Sequence, residues 1–116
     1  MNSIFHPSKN KMKSQNIYDE IPASSKNEIF DELLKTNNII IERIISAGHR
    51  SPESGWYDQE KNEWVLVLKG KATLSFEDQI SISLNEGDYI NIPSHTKHKV
   101  TWTDPDRDTI WLAIHY

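Results

Sequence analysis

A chain of 116 residues with no cysteine, 26% charged and 36% apolar, has the size and balance of one globular domain with its own core. It excludes disulfides, thiolate metal sites and a cysteine nucleophile, and it favours a reducing, cytoplasmic setting. The net charge is −4, and Lys9, Lys11 and Lys13 near the start leave the remainder more acidic still, which argues against a nucleic-acid surface; no run of about 18 apolar residues is present to span a membrane.

Residues 1–16 are polar, lysine-rich and without period, which predicts a flexible leader ahead of a single domain over 17–116. Ser25 stands three residues before Glu28 in a helix-capping pattern. Ile29, Phe30, Leu33 and Leu34 then recur at helical spacing, predicting one short amphipathic helix that Asn37 and Asn38 end. Ile39 to Ile45 is too rich in β-branched residues to be anything but a strand. A loop holding Gly48, Pro52 and Gly55 leads past Trp56 to Glu63. Trp64 to Leu68 is an unbroken apolar strand closed by the turn Lys69-Gly70-Lys71.

Ala72, Leu74 and Phe76 alternate with Thr73 and Ser75, and Ile80, Ile82 and Leu84 alternate in the same way, so each strand has one buried and one wet face. After the turn Asn85 to Asp88, Ile90 and Ile92 share a face. Pro93 marks a corner, and His98, Val100 and Trp102 share a face of the following strand. Asp104-Pro105-Asp106 turns the chain into a final strand, Thr109 to Tyr116. About eight short strands at roughly ten-residue spacing, with no crossover helices, make an all-β antiparallel barrel or sandwich.

Strand parity puts Glu63 on the face of Val65 and Val67, and His98 on the face of Val100, so both are predicted to point inward. A buried carboxylate must be paired, metal-bound or protonated, and a buried imidazole is either a hydrogen-bonded core residue or part of a site. Trp64, Trp102 and Trp111 read as core, interface or cavity-lining residues. His115 lies on the opposite parity from Ile110, Leu112 and Ile114 and reads as a surface or interface imidazole.

The run Gly87-x5-Pro93-x-His95-x2-His98 resembles the second signature of the cupin superfamily, and Glu63-x6-Gly70 resembles the end of its first, with a hairpin between them. The resemblance covers about residues 39–116. It implies a small RmlC-like jelly-roll barrel, commonly dimeric, in which many members hold a divalent metal through three histidines and one glutamate. This chain departs from that pattern. The places of the first signature's His-x-His fall on Tyr57 and Gln59, or on Trp56 and Asp58; His95 replaces a glycine and Trp102 the closing asparagine.

Only Glu63 and His98 therefore carry over as ligand positions. Asp58 or Gln59 would complete a mixed oxygen and nitrogen set suited to Mn, Fe or Zn, with Tyr57, His95 and Trp102 as pocket residues. The implied function is a polar pocket for a small-molecule ligand in a homodimeric barrel, metal-dependent and acting on a small acid or carbonyl compound. The competing readings are a metal-free binding or sensing module, and a metal-free acid and base catalyst with His98 as base.

Overall fold

The computed structural model describes residues 12–23, 27–52 and 54–116. Among them are eight strands: β1 (Ile29–Lys35), β2 (Ile40–Ser46), β3 (Glu63–Lys69), β4 (Ala72–Phe76), β5 (Ser81–Leu84), β6 (Tyr89–Ile92), β7 (His98–Thr103) and β8 (Thr109–His115). They form a five-stranded sheet in the order β1-β2-β8-β3-β6 and a three-stranded sheet in the order β5-β4-β7, all antiparallel. From β3 onward the chain crosses between the two sheets four times, the path of a jelly roll. No helix among the described residues is long and apolar enough to cross a membrane.

The alternation read from the sequence is kept where the core forms. Val65 and Val67 from β3, Leu74 from β4, Leu84 from β5, Ile92 from β6 and Trp111 from β8 pack together between the sheets. In β3 burial alternates along an unbroken apolar run, and in β4 and β5 the apolar residues themselves alternate, so one face of each of these strands turns to the core.

The expected N-terminal helix does not form. Ser25 lies outside the described residues, and Ile29–Lys35 is strand β1, paired with β2 from Ile29 opposite Ile45 to Lys35 opposite Ile40. Four apolar residues at helical spacing carry only a weak preference, whereas the isoleucine-rich β2 offers a ladder along one side of the segment. The connecting turn fixes the hairpin: the Thr36 amide donates to the Ile39 carbonyl at 2.8 Å, and the Thr36 hydroxyl accepts from the Asn38 and Ile39 amides. Phe30, Leu33 and Leu34 are left about half exposed along this edge strand.

On the outer face of the large sheet, Arg43 is nearly buried. Its guanidinium donates to Asp31 Oδ2 at 2.7 and 3.1 Å and to the carbonyls of Ile17 and Asp19 at 2.9 and 2.6 Å. Four donors from one rigid fork thus clamp the segment before β1 onto β2. Most of the expected leader falls outside the described residues.

Candidate functional site

Glu63 opens β3 and shares its inward face with Val65 and Val67; its neighbours across the ladders are Ile92 and His115. His98 opens β7, directly after the corner begun by Pro93, where His95 takes the left-handed backbone conformation (φ 59°). Within the corner the Thr96 amide donates to the Pro93 carbonyl, and His98 Nδ1 donates to the Thr96 carbonyl at 2.8 Å. A carbonyl can only accept, so this contact fixes the proton on Nδ1 and turns Nε2 toward the barrel interior. There it stands 3.4 Å from Glu63 Oε1, with Glu63 8% and His98 5% exposed.

The incoming segment completes the surround. Tyr57 and His98 exchange backbone hydrogen bonds at 2.8 and 3.1 Å, which holds the Tyr57 ring 5.8 Å from the imidazole, while Phe76 flanks it from β4 at 6.2 Å. Burial pushes the His98 pKa down, but the Glu63 hydrogen-bonding oxygen, the Thr96 carbonyl and the Glu63 charge together outweigh it. The net effect holds His98 above the ordinary imidazole value. The 3.4 Å separation is longer than a charge-assisted hydrogen bond, so the two groups attract without being closed on each other.

A second couple lies in the same cavity. His115 Nε2 donates to Glu42 Oε1 at 2.8 Å, bringing together the ends of β8 and β2. A third carboxylate, Glu28, accepts from the Ser46 hydroxyl at 2.6 Å, and Ser46 in turn accepts from the Trp111 indole N–H at 3.3 Å. The cavity bounded by these groups and by Val65, Leu74, Ile92 and Val100 has a volume of about 140 Å³.

Of the residues singled out from the sequence, Glu63, His98, Tyr57 and Gln59 meet in this cavity. Asp58 and His95 do not line it. They pair with each other at 2.7 Å, both substantially exposed, as a rim contact. Trp102 is 42% exposed on the outside of the barrel, which corrects its placement in the pocket. The cause is a bulge: Leu74 faces Val100 and Thr73 faces Trp102, so Thr101 is an extra residue in β7 and inverts the parity beyond it.

His115 is likewise not a surface imidazole. Trp111 and Ala113 are buried on the inward face of β8 and His115 continues that face, while Leu112 and Ile114 sit on the other side of the sheet. Glu28, Glu42 and His115 were missed by sequence reasoning. For Glu42 a signal existed, because a lone acid in the run Ile39 to Ile45 shares parity with Ile40 and Ile44. For His115 the signal appears only once β8 is known to pair with β3.

The donors present do not make a divalent-metal site. Among the described residues no group of three or more His, Cys, Asp or Glu side chains is arranged to hold an ion, and a catalytic metal needs about three protein ligands. Asp58 is engaged by His95, and His115 by Glu42. Of the expected set Glu63, His98 and Gln59 line the cavity and Asp58 does not, so an amide oxygen is the only third donor that the set offers there.

The Cupin domain family matches residues 44–115, more than half of the chain. The chain belongs to the cupin family. A Ralstonia eutropha JMP134 protein named as a candidate mannose-6-phosphate isomerase is similar in structure with a TM-score of 0.86 and 39% identity, over 90% of this cupin and 97% of its own chain. A cupin superfamily protein from Desulfitobacterium hafniense DCB-2 gives a TM-score of 0.68 at 20% identity, covering 82% of each chain. An RmlC-like cupin with a double-stranded β-helix fold from Methanocaldococcus jannaschii gives 0.65 at 20% identity, over 83% of this cupin and 85% of its own chain. The last two bear on the fold alone. No curated protein matches this cupin.

Proposed function

We propose that this cupin binds a small polar organic molecule inside its barrel, without a metal, through the Glu63 and His98 couple. The observation that supports the reading is the pair itself: two polar groups more than nine-tenths buried, aimed into a cavity, and 3.4 Å apart. Buried polar groups normally close onto partners, and a contact this long leaves the carboxylate with acceptor capacity that a ligand donor beside the pair can use. Tyr57, half exposed and lining the cavity, stands where a ligand would enter. An imidazole anchored at Nδ1 with its Nε2 beside a carboxylate also suits proton transfer on a bound carbonyl compound. The half-exposed Phe30, Leu33 and Leu34 of edge strand β1 support the homodimer expected from the resemblance.

Untagged protein supplied with Mn, Fe or Zn is expected to carry well under one metal ion per chain by elemental analysis, and its thermal midpoint is expected not to rise with any of the three. One ion per chain, lost in both Glu63→Ala and His98→Ala, would overturn the metal-free reading.

A further inference from the structure

Lysine and arginine supply 13 of the 116 residues, yet among the described residues none of them lines the cavity. Three carboxylates do, from Glu28, Glu42 and Glu63, against the two imidazoles of His98 and His115. By formal charge the wall is negative even with both imidazoles protonated. Its remaining surface is mostly apolar, so the field of those carboxylates is poorly screened where a ligand would sit.

Each carboxylate also keeps acceptor capacity. Among the described residues Glu28 takes one proton donor from Ser46 and Glu42 takes one from His115, each on a single oxygen. Glu63, the most buried of the three, has only the loose approach of His98 Nε2. A buried carboxylate can accept about four hydrogen bonds, and one that lacks donors is costly, so a ligand that fits must bring several N–H or O–H groups. The volume of about 140 Å³ is close to that of a cavity that admits benzene, which sets the enclosed part of the ligand at about six non-hydrogen atoms.

We propose, building on the ligand-pocket reading above, that the cavity selects a small hydroxylated amine, a cation rich in donors, and rejects carboxylates and phosphate esters. The ammonium group lies against this carboxylate-bearing wall and pairs with one of its glutamates, and the hydroxyls reach Gln59 and the His98 edge of the wall. This separates the ligand of this cupin from a sugar phosphate, whose charge would be set against three carboxylates with no lysine or arginine to receive it. It also turns against a small acid, the ligand class expected from the resemblance.

Serinol, glycerol and glycerate share a three-carbon skeleton and differ mainly in charge. Each is titrated into the wild-type protein, with mannose 6-phosphate as a fourth probe, and followed by the NMR signal of the Trp111 indole N–H, which borders the cavity through Ser46. Serinol is expected to bind at least about tenfold more tightly than glycerol, and the two anions to give no saturable shift. Glu42→Gln, which keeps the side-chain shape, is expected to weaken serinol by about tenfold and glycerol by clearly less. Glycerol, glycerate or mannose 6-phosphate binding as tightly as serinol in the wild type would overturn the charge selection and leave the pocket reading standing. Saturable binding by none of the four would remove the pocket reading, and the charge selection with it.

Discussion

Gly70→Ala is expected to destabilise this cupin by roughly 3–5 kcal/mol, whereas Gly87→Ala costs roughly 1–2 kcal/mol, both read by urea unfolding. The two glycines share the same backbone strain, with φ of 90° at Gly70 and 87° at Gly87. They differ in what an added Cβ would meet. At Gly87 nothing lies within 4 Å; at Gly70 the new carbon would stand 2.6 Å from Thr109 Oγ1 and 2.7 Å from both the Asp108 carbonyl oxygen and Thr109 Cα. Two of those three atoms are backbone. Thr109 is fully buried, and its hydroxyl donates to the Lys71 carbonyl at 3.1 Å while accepting from the Lys71 amide at 3.3 Å. The turn between β3 and β4 is thereby locked to the start of β8, and neither side can give way. Equal costs at the two positions would show that this lock is loose.

Glu63→Ala is expected to cost about 3 kcal/mol in slightly acidic buffer, because it strands a buried imidazolium opposite an empty wall. The pH dependence has a definite sign. His98 is held above the ordinary imidazole value in the folded protein, with burial opposing and the Glu63 and Thr96 contacts prevailing. The stabilisation it contributes is therefore complete below the unfolded value of about 6.5 and is lost as the pH rises through the higher folded value. The stability gap between wild type and Glu63→Ala should be widest near pH 6 and should narrow on the alkaline side. A gap that stays constant or widens with rising pH would contradict the pairing.

How far the sequence reaches depends on how local the determinant is. Strands β2 to β8 were legible because β-branched runs, alternation and turn residues all act within a few neighbours, and Glu63 and His98 were placed inward by the same parity. Where a long-range partner decides, the reading failed. Ile29–Lys35 has helical spacing and becomes a strand only because β2 lies beside it. Trp102 keeps inward parity in the text and loses it to an extra residue, Thr101, visible only against β4. His115 reads as outward in the sequence because it opposes the apolar stripe of Ile110, Leu112 and Ile114. The partly covered outer side of the large sheet, where Arg43 lies opposite Leu112, takes part of that apolar stripe. Glu28 enters the cavity only when the start of β1 is known to lie beside β2, whose Ser46 it bonds, and Glu42 only when β2 is known to pair with β8.

The most direct test of the central claim is an NMR titration of the His98 imidazole in the wild type and in Glu63→Gln. If the two side chains face each other inside the barrel, His98 titrates above the ordinary imidazole value in the wild type. In the variant it falls, because burial then acts with only the Thr96 carbonyl against it. The same titration midpoint in both proteins would contradict the convergence of Glu63 and His98 on which the site depends.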